Sequence, residues 1–222
     1  MQRQRYNVAI LGGTGAQGSG LALRLARAGH AITLGSRDGE RARAAAAELS
    51  ARAEKSIAGA DNRAATAAAE IVLLTVPYDA QRATVEHVLD RLAGKILVDA
   101  TAPLVPPRVG TVQLPDGGSA VAAIQALAGT GVRVVSAFQS VAAAHLADLA
   151  HEIDCDVLIC GNDLSACELV IGLCADIGLR GLYAGPIRNS AVAEALTSVL
   201  ITINRRYKVA GAGIRITGIG EP

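Results

Sequence analysis

The chain has 222 residues, 51% hydrophobic and 18% charged, enough apolar material for one domain, or one domain with a smaller lobe, and too little charge for a disordered chain. A net charge of +1 argues against nucleic-acid and membrane-surface partners, which call for a basic excess, and one Phe with four Tyr leaves little surface on which bases stack.

Residues 1–5 are polar and basic, and no signal-like apolar run with a cleavage site follows them. Residues 6–11 form an apolar run that meets glycines directly, which predicts a buried strand. Residues 19–29 place Leu21, Leu25 and Ala28 on one face and end at Gly29, a helix with a glycine C-cap. A second strand over 31–35, a surface helix over 38–55, a short strand at Ile57 and a helix over 62–69 follow. Residues 71–76 are a continuous apolar run, read as a strand covered on both faces and far too short to span a bilayer. A helix over 80–92 and a strand over 95–99 come next. The proline-rich stretch 103–115 is a loop, because its prolines supply no ladder hydrogen bonds. Beyond it lie a helix over 119–127 and a strand over 132–137.

Strands alternating with helices imply right-handed crossovers and a parallel sheet. After Phe138 the pattern changes: a helix over 141–150, a strand over 156–160, a helix over 164–177, a short strand over 180–183, a turn at Gly185-Pro186, and a long amphipathic helix over 190–206. Asn189-Ser190 is expected to N-cap that helix, and Asp99 to cap a helix or turn. The tail, 209–220, alternates glycine with β-branched residues and is read as a cover for the active site, a partner contact, or a disordered end. His30 is placed at the surface and Phe138 in the core. Cys155, Cys160, Cys167 and Cys174 form no CxxC pair and no zinc spacing with His145 or His151, so no metal site is expected and they read as small buried hydrophobes. The absence of a leader or spanning run makes a cytoplasmic protein the expectation.

Gly13-Thr14-Gly15-Ala16-Gln17-Gly18 fits GxGxxG between the first strand and the first helix, the context in which that motif holds a dinucleotide. A glycine turn lets backbone N–H groups approach a diphosphate, and the helix N-terminus adds positive potential. A side chain at Gly15 would fill the diphosphate's place, and Gly18 permits close packing of helix on strand. At the end of the second strand, where NAD-specific folds carry an acid, stand Gly35-Ser36-Arg37, with Arg41 a turn further on. A hydroxyl and two guanidinium groups suit a 2′-phosphate, each charged hydrogen bond contributing about 1.5–3 kcal/mol. Asp38 remains an alternative partner for a ribose. NADP is therefore expected over NAD.

The segments 9–15 and 18–26, Gly29-His30, Gly35-Ser36-Arg37, Leu74-Thr75-Val76-Pro77, Ser136-Ala137-Phe138, 156–163 and Ala184-Gly185-Pro186-Ile187-Arg188-Asn189-Ser190 together resemble the NADPH-dependent F420 reductases over nearly the whole chain. The resemblance implies an α/β fold, a Rossmann-type doubly wound parallel sheet over 1–137 that binds NADP, with a small C-terminal α/β lobe over 138–222 carrying the deazaflavin site and the contacts of a homodimer. It implies that Gly13, Thr14, Gly15, Ala16, Gln17 and Gly18 surround the diphosphate, and that Ser36, Arg37 and Arg41 hold the 2′-phosphate. It also implies that Thr75, Val76 and Pro77 lie along NADP(H). Thr101 and Pro103 follow a strand end at the ligand-binding edge. Ala137, Gln139, Ser140 and Val141 would lie beside the nicotinamide and coenzyme F420, with no catalytic residue of their own: Gln139, Ser140 and Val141 position the rings. Gln139 stands where some members carry a histidine.

Hydride exchange between two ring carbons asks for stacking and proximity, not for a nucleophile or metal, which agrees with the lack of an acid–base pair. Arg205, Arg206 and Lys208 read as a solvated helix end, or as a receiver for the anionic tail of F420. Two other functions fit the same scaffold. One is an NADP-dependent reductase of another small acceptor, an imine (with Ser140 or Thr101 as donor) or a metal through a flavin relay. The other is a non-enzymatic NADP sensor.

Overall fold

The computed structural model describes residues 4–220; residues 1–3 of the basic opening and residues 221–222 of the expected second lobe lie outside the described residues. Among the described residues eight strands form one sheet: β1 (Asn7–Leu11), β2 (Ala31–Ser36), β3 (Ile57–Asp61), β4 (Ile71–Leu74), β5 (Ile96–Asp99), β6 (Arg133–Ser136), β7 (Asp156–Gly161) and β8 (Arg180–Tyr183). Their spatial order is β3-β2-β1-β4-β5-β6-β7-β8. The order reverses direction at β1 and β4, which leaves a crevice at the carboxyl ends of these two strands, the place where open α/β sheets bind ligands.

The sheet is covered by the helices α1 (Ala16–Ala28), α2 (Gly39–Ala53), α3 (Asn62–Ala68), α4 (Tyr78–Val88), α5 (Ala120–Ala128), α6 (Ala143–Ala147), α7 (Leu164–Asp176) and α8 (Ser190–Tyr207). Strand side chains alternate between two cores. Val8, Ile10, Ile71 and Leu73 face the layer of α1, α2 and α7, whereas Ala9, Leu11, Val72 and Leu74 face that of α3, α4 and α5. A sheet covered on both faces accounts for the continuous apolar runs.

All neighbouring strands are parallel except β6 and β7, which are antiparallel, with Val135 opposite Gly161 and Ser136 opposite Cys160. The chain leaving Ser136 therefore does not cross the sheet. It stays at the carboxyl edge through residues 137–155 and returns along β7, which carries this segment beside the crevice.

Local structure departs from expectation at a few points. The helix expected over 141–150 is only Ala143–Ala147. Asn189 does not N-cap α8: it already has helical dihedrals, and its amide Nδ2 donates to the Ala184 carbonyl at 2.7 Å. The preceding 3-10 turn, Ile187–Asn189, starts the helix, and Ser190 Oγ bonds back to the Ile187 carbonyl. His30 is buried, not superficial. Its Nδ1 accepts from the Tyr6 amide at 3.3 Å, its Nε2 meets Asp176 at 3.2 Å, and a ring carrying its proton on Nε2 satisfies both. The tail is held in place: the Asp156 amide donates to the Ile214 carbonyl, the Ile216 amide to Asp156, and Arg215 pairs with Asp154.

Glu194 of α8 is 1% exposed and ties that helix to the N-terminus of α5. Its carboxylate accepts from Ser119 Oγ at 2.7 Å and from the Ala120 and Val121 amides at 2.8 and 3.2 Å, a favourable place for negative charge. Glu194→Ala orphans the buried amides of Ala120 and Val121, while Ser119 Oγ keeps Ser190, at a cost of about 3 kcal/mol, since each unsatisfied group costs about 1–3 kcal/mol. Calorimetry should show Tm falling by roughly 10 °C.

Candidate cofactor site

The glycine turn crosses the carboxyl end of β1. Gly12 has φ +81°, and a Cβ there would lie 2.9 Å from the Thr75 carbonyl oxygen, so only glycine fits. Gly15 precedes α1 without a side-chain cap, leaving first-turn amides for an anion. A Cβ added at Gly15 would meet only the Gly12 carbonyl oxygen, at 3.3 Å, and would otherwise project into open space. That space is the cradle a diphosphate needs. Gly18 is different: its added Cβ would stand 2.6 Å from Thr75 Oγ1 and 2.7 Å from the Gly12 oxygen. Thr75 Oγ1 in turn donates to the Leu11 carbonyl, and Ser19 Oγ to the Gly13 carbonyl. The turn is thus braced by its own hydrogen bonds and close packing.

A cleft of about 710 Å³ lies past the end of β2. Arg37 and Pro77 line it, together with Asn62, Asp79, Ala80, Thr84 and His87 of α3 and α4, which the sequence motifs do not single out. Arg37 and Arg41 are exposed. Asp38 is occupied otherwise: its Oδ1 accepts from the Glu40 and Arg41 amides at 2.9 and 3.3 Å, capping α2. Ser36 Oγ accepts from the Asp38 amide. The charge facing the cleft from the end of β2 is therefore cationic. Asn62 is 4% exposed, and its Oδ1 has no hydrogen-bond partner among the described residues.

Asp99, at the end of β5, is completely buried. Its carboxylate accepts from the Thr101 amide at 2.9 Å and from Gln81 Nε2 at 2.6 Å, a turn cap as expected plus a tie to α4. Burial pushes its pKa up from 3.8 to about 6, against the opposing pull of those hydrogen bonds. The folded protein thus holds this proton more tightly than the unfolded chain. The contribution of Asp99 to stability is greatest in acid and falls as pH rises from about 4 through 6. The rise from 3.8 to about 6 corresponds to roughly 3 kcal/mol. Asp99→Asn should remove that slope, with Gln81 flipping its amide to match. In urea unfolding between pH 4 and 7, the variant is expected to gain on the wild type as pH rises.

At the far end of the crevice lies the segment after β6. Phe138 is buried with a left-handed φ of +72°, a strained conformation for a bulky side chain. Its carbonyl accepts from Gln17 Nε2 at 2.8 Å, so the Gln17 side chain reaches across the crevice to this segment. Gln139 is 6% exposed; its Nε2 donates to the Asp99 carbonyl and to Ser136 Oγ, both at 2.8 Å, and its own carbonyl accepts from Thr197 Oγ1 at 3.1 Å. That leaves Gln139 Oε1 buried without a partner among the described residues. An orphaned acceptor of this kind costs about 1–3 kcal/mol. Ser140 and Val141 are also buried, and Ser140 borders a cavity of about 240 Å³ roofed by Gly211 and Gly213 of the tail.

Every residue expected around the coenzymes lies along this one carboxyl edge. Gly13–Gly18 sit at its centre, Ser36, Arg37 and Arg41 at one end, and Ala137 to Val141 at the other, with Thr75–Pro77, Thr101 and Pro103 between. The open cradle at Gly15 and the exposed Arg37 and Arg41 beyond the end of β2 fit a 2′-phosphorylated dinucleotide. No group of three or more His, Cys, Asp or Glu is placed to hold a metal among the described residues, and no helix there is long and apolar enough to cross a membrane.

Residues 7–103 match the family described as coenzyme F420-dependent NADP oxidoreductase. The chain is 40% identical to the F420-dependent NADP reductase of Methanothermobacter marburgensis over 222 residues, covering 96% of this chain and 99% of the relative. The enzyme of the same name from Methanocaldococcus jannaschii is 40% identical over 221 residues, with 96% and 98% covered. Among solved structures, a hypothetical protein from Sinorhizobium meliloti superposes with a TM-score of 0.66 at 26% identity, over 83% of this chain and 87% of that one. A reductive aminase from Aspergillus terreus shares the fold, with a TM-score of 0.60 at 20% identity over 92% of this chain and 64% of that one. The match to these enzymes along 96% of its length shows that the chain belongs to the F420-dependent NADP reductases.

Proposed function

We propose that this chain transfers hydride between NADP(H) and coenzyme F420. The observation that carries the reading is the 40% identity to F420-dependent NADP reductases along 96% of the chain. The cradle at Gly15 supports it. Gly13–Gly18 seat the diphosphate, Ser36, Arg37 and Arg41 grip the 2′-phosphate, and Thr75, Val76, Pro77, Thr101 and Pro103 follow the dinucleotide along the crevice. Ala137 and Gln139 to Val141 set the planes of the two rings. The coenzymes supply the chemistry, a hydride passing between the nicotinamide C4 and the deazaflavin C5. The protein's task is to hold the rings in register with the reacting carbons about 3–3.5 Å apart. Gln139 Oε1 offers an acceptor there for a ring-borne N–H.

In this reading residues 1–137 bind NADP(H), and residues 138–222 supply the deazaflavin side and the contacts of a cytoplasmic homodimer. Val192, Leu196, Val199 and Ile203 fall three and four residues apart along α8, with Val192 and Val199 exposed and Leu196 and Ile203 half-buried. Such a stripe suits a second helix of the same kind. Light scattering should return twice the chain mass, and Val199→Asp a single mass.

Adding NADPH to oxidised F420 in the presence of the protein should bleach the visible absorbance of F420. A folded protein that binds NADPH and leaves that absorbance intact overturns the assignment.

A further inference from the structure

One face of α1 carries more than the diphosphate turn. Gln17, Gly20 and Arg24 lie on it, the first and last two helical turns, or about 10.5 Å, apart. All three grip the segment that runs along the carboxyl edge after β6. Gln17 holds the Phe138 carbonyl, and Gly20 leaves room for Leu146, whose Cβ would be 2.6 Å from any side chain there. Arg24 closes the other end. Its Nε donates to the Leu146 carbonyl at 3.0 Å, and its Nη2 faces the carbonyls of His145, Asp148 and His151 at 2.8, 2.6 and 2.8 Å.

Four carbonyls converging on one guanidinium are the C-terminal end of α6 and the turn beyond it. A five-residue helix does not sustain itself; its last carbonyls need donors, and a cation there opposes the helix dipole. A guanidinium presents five N–H groups in a planar fork, whereas an ammonium on a flexible stem does not span the same set. Because α6 starts directly after Ala142, whatever fixes α6 also fixes the stretch 139–142.

We propose that Arg24 is a positioning residue of hydride transfer, holding α6 so that the ring-facing stretch 139–142 keeps a set distance from the diphosphate cradle on the same helix. This rests on the reading of Gln139 to Val141 as the stretch that orients the rings. α1 then works as a ruler, one end on the dinucleotide and one side against the segment that meets the acceptor. Arg24 touches neither coenzyme, so its loss should spare binding and impair the chemical step.

The test compares wild type, Arg24→Ala and Arg24→Lys. It reads NADPH affinity without F420, kcat for F420 reduction, and the isotope effect with NADPH deuterated at C4. Expected is an NADPH Kd within about twofold of wild type, with kcat down about ten- to a hundredfold, as a misplacement near 1 Å entails, and an enlarged isotope effect. Methylguanidinium should restore part of the rate to the alanine variant and none to the lysine variant. Wild-type kcat in both variants overturns the role of Arg24, as does a rate loss that only follows lost NADPH affinity and resists rescue. Should the alanine variant not fold, the split between Kd and kcat in the lysine variant decides. A wild-type protein that binds NADPH without reducing F420 counts against the functional assignment instead.

Discussion

Arg37→Ala is expected to raise KM for NADPH about tenfold to a hundredfold while leaving kcat and the KM for NADH nearly unchanged. Arg37 follows the end of β2 and lines the cleft, and it is exposed. The neighbouring acid, Asp38, is engaged in capping α2. A guanidinium–phosphate bond contributes about 1.5–3 kcal/mol, which is the stated range in affinity. NADH lacks the phosphate and therefore lacks this contribution in the wild type as well. Initial rates of F420 reduction with both coenzymes give the comparison. Adding Arg41→Ala should widen the NADPH defect further and still spare NADH. A parallel loss for both coenzymes would mean that Arg37 serves the adenosine or the fold, not the phosphate.

Two glycines of the same turn should fail in opposite ways. Gly15→Val is expected to abolish measurable NADPH binding, a loss beyond a hundredfold, at a Tm close to wild type. The added side chain meets little protein and enters the cradle. A diphosphate that cannot reach the first-turn amides of α1 loses both their hydrogen bonds and the helix dipole. Gly18→Val instead places atoms within 2.6–2.7 Å of Thr75 and the Gly12 backbone. Overpacking of this kind costs about 1–3 kcal/mol or more, so Tm should fall whether or not coenzyme is present. Thermal melts with and without saturating NADPH separate the two: wild type gains stability from ligand, Gly15→Val gains none, and Gly18→Val starts lower. Equal melting behaviour of the two variants would remove the distinction between ligand seat and packing contact.

The strands and helices up to β6 were legible because each is announced locally. Apolar runs that meet glycine, such as 7–11, and alanine-rich stretches with capping residues, such as Asp38 before α2 and Ser119 before α5, carry their own boundaries, whereas the strand expected over 71–76 stops at Leu74. Apolar periodicity has no sense of direction, so the reversal of β7 against β6 left no trace in it. The overlong helix expected after Val141 has a similar cause. Alanine favours helix, but α6 ends where the chain turns back to β7 and its carbonyls face Arg24, a residue more than 120 positions earlier. His30 was misplaced because its partner Asp176 lies 146 residues away. In the candidate site, the glycine turn between β1 and α1 and the place of Arg37 just past β2 were readable from the motif and the strand pattern. Asn62, Thr84 and His87 were not, since a cleft wall on α3 and α4 has no motif. Gln81 did leave a signal, a polar side chain on the same helical face as the buried Val85 and Val88; its partner Asp99 explains it.

The return of the chain along β7 has a mechanical consequence. The strands on either side of the crevice belong to a single sheet over a shared core that runs from Val8 and Leu21 to Val157 and Leu173. Clamshell closure of one flank on the other would tear strand from strand in this sheet. On the proposed reading, an acceptor would enter along the rim of the sheet and leave by the same rim.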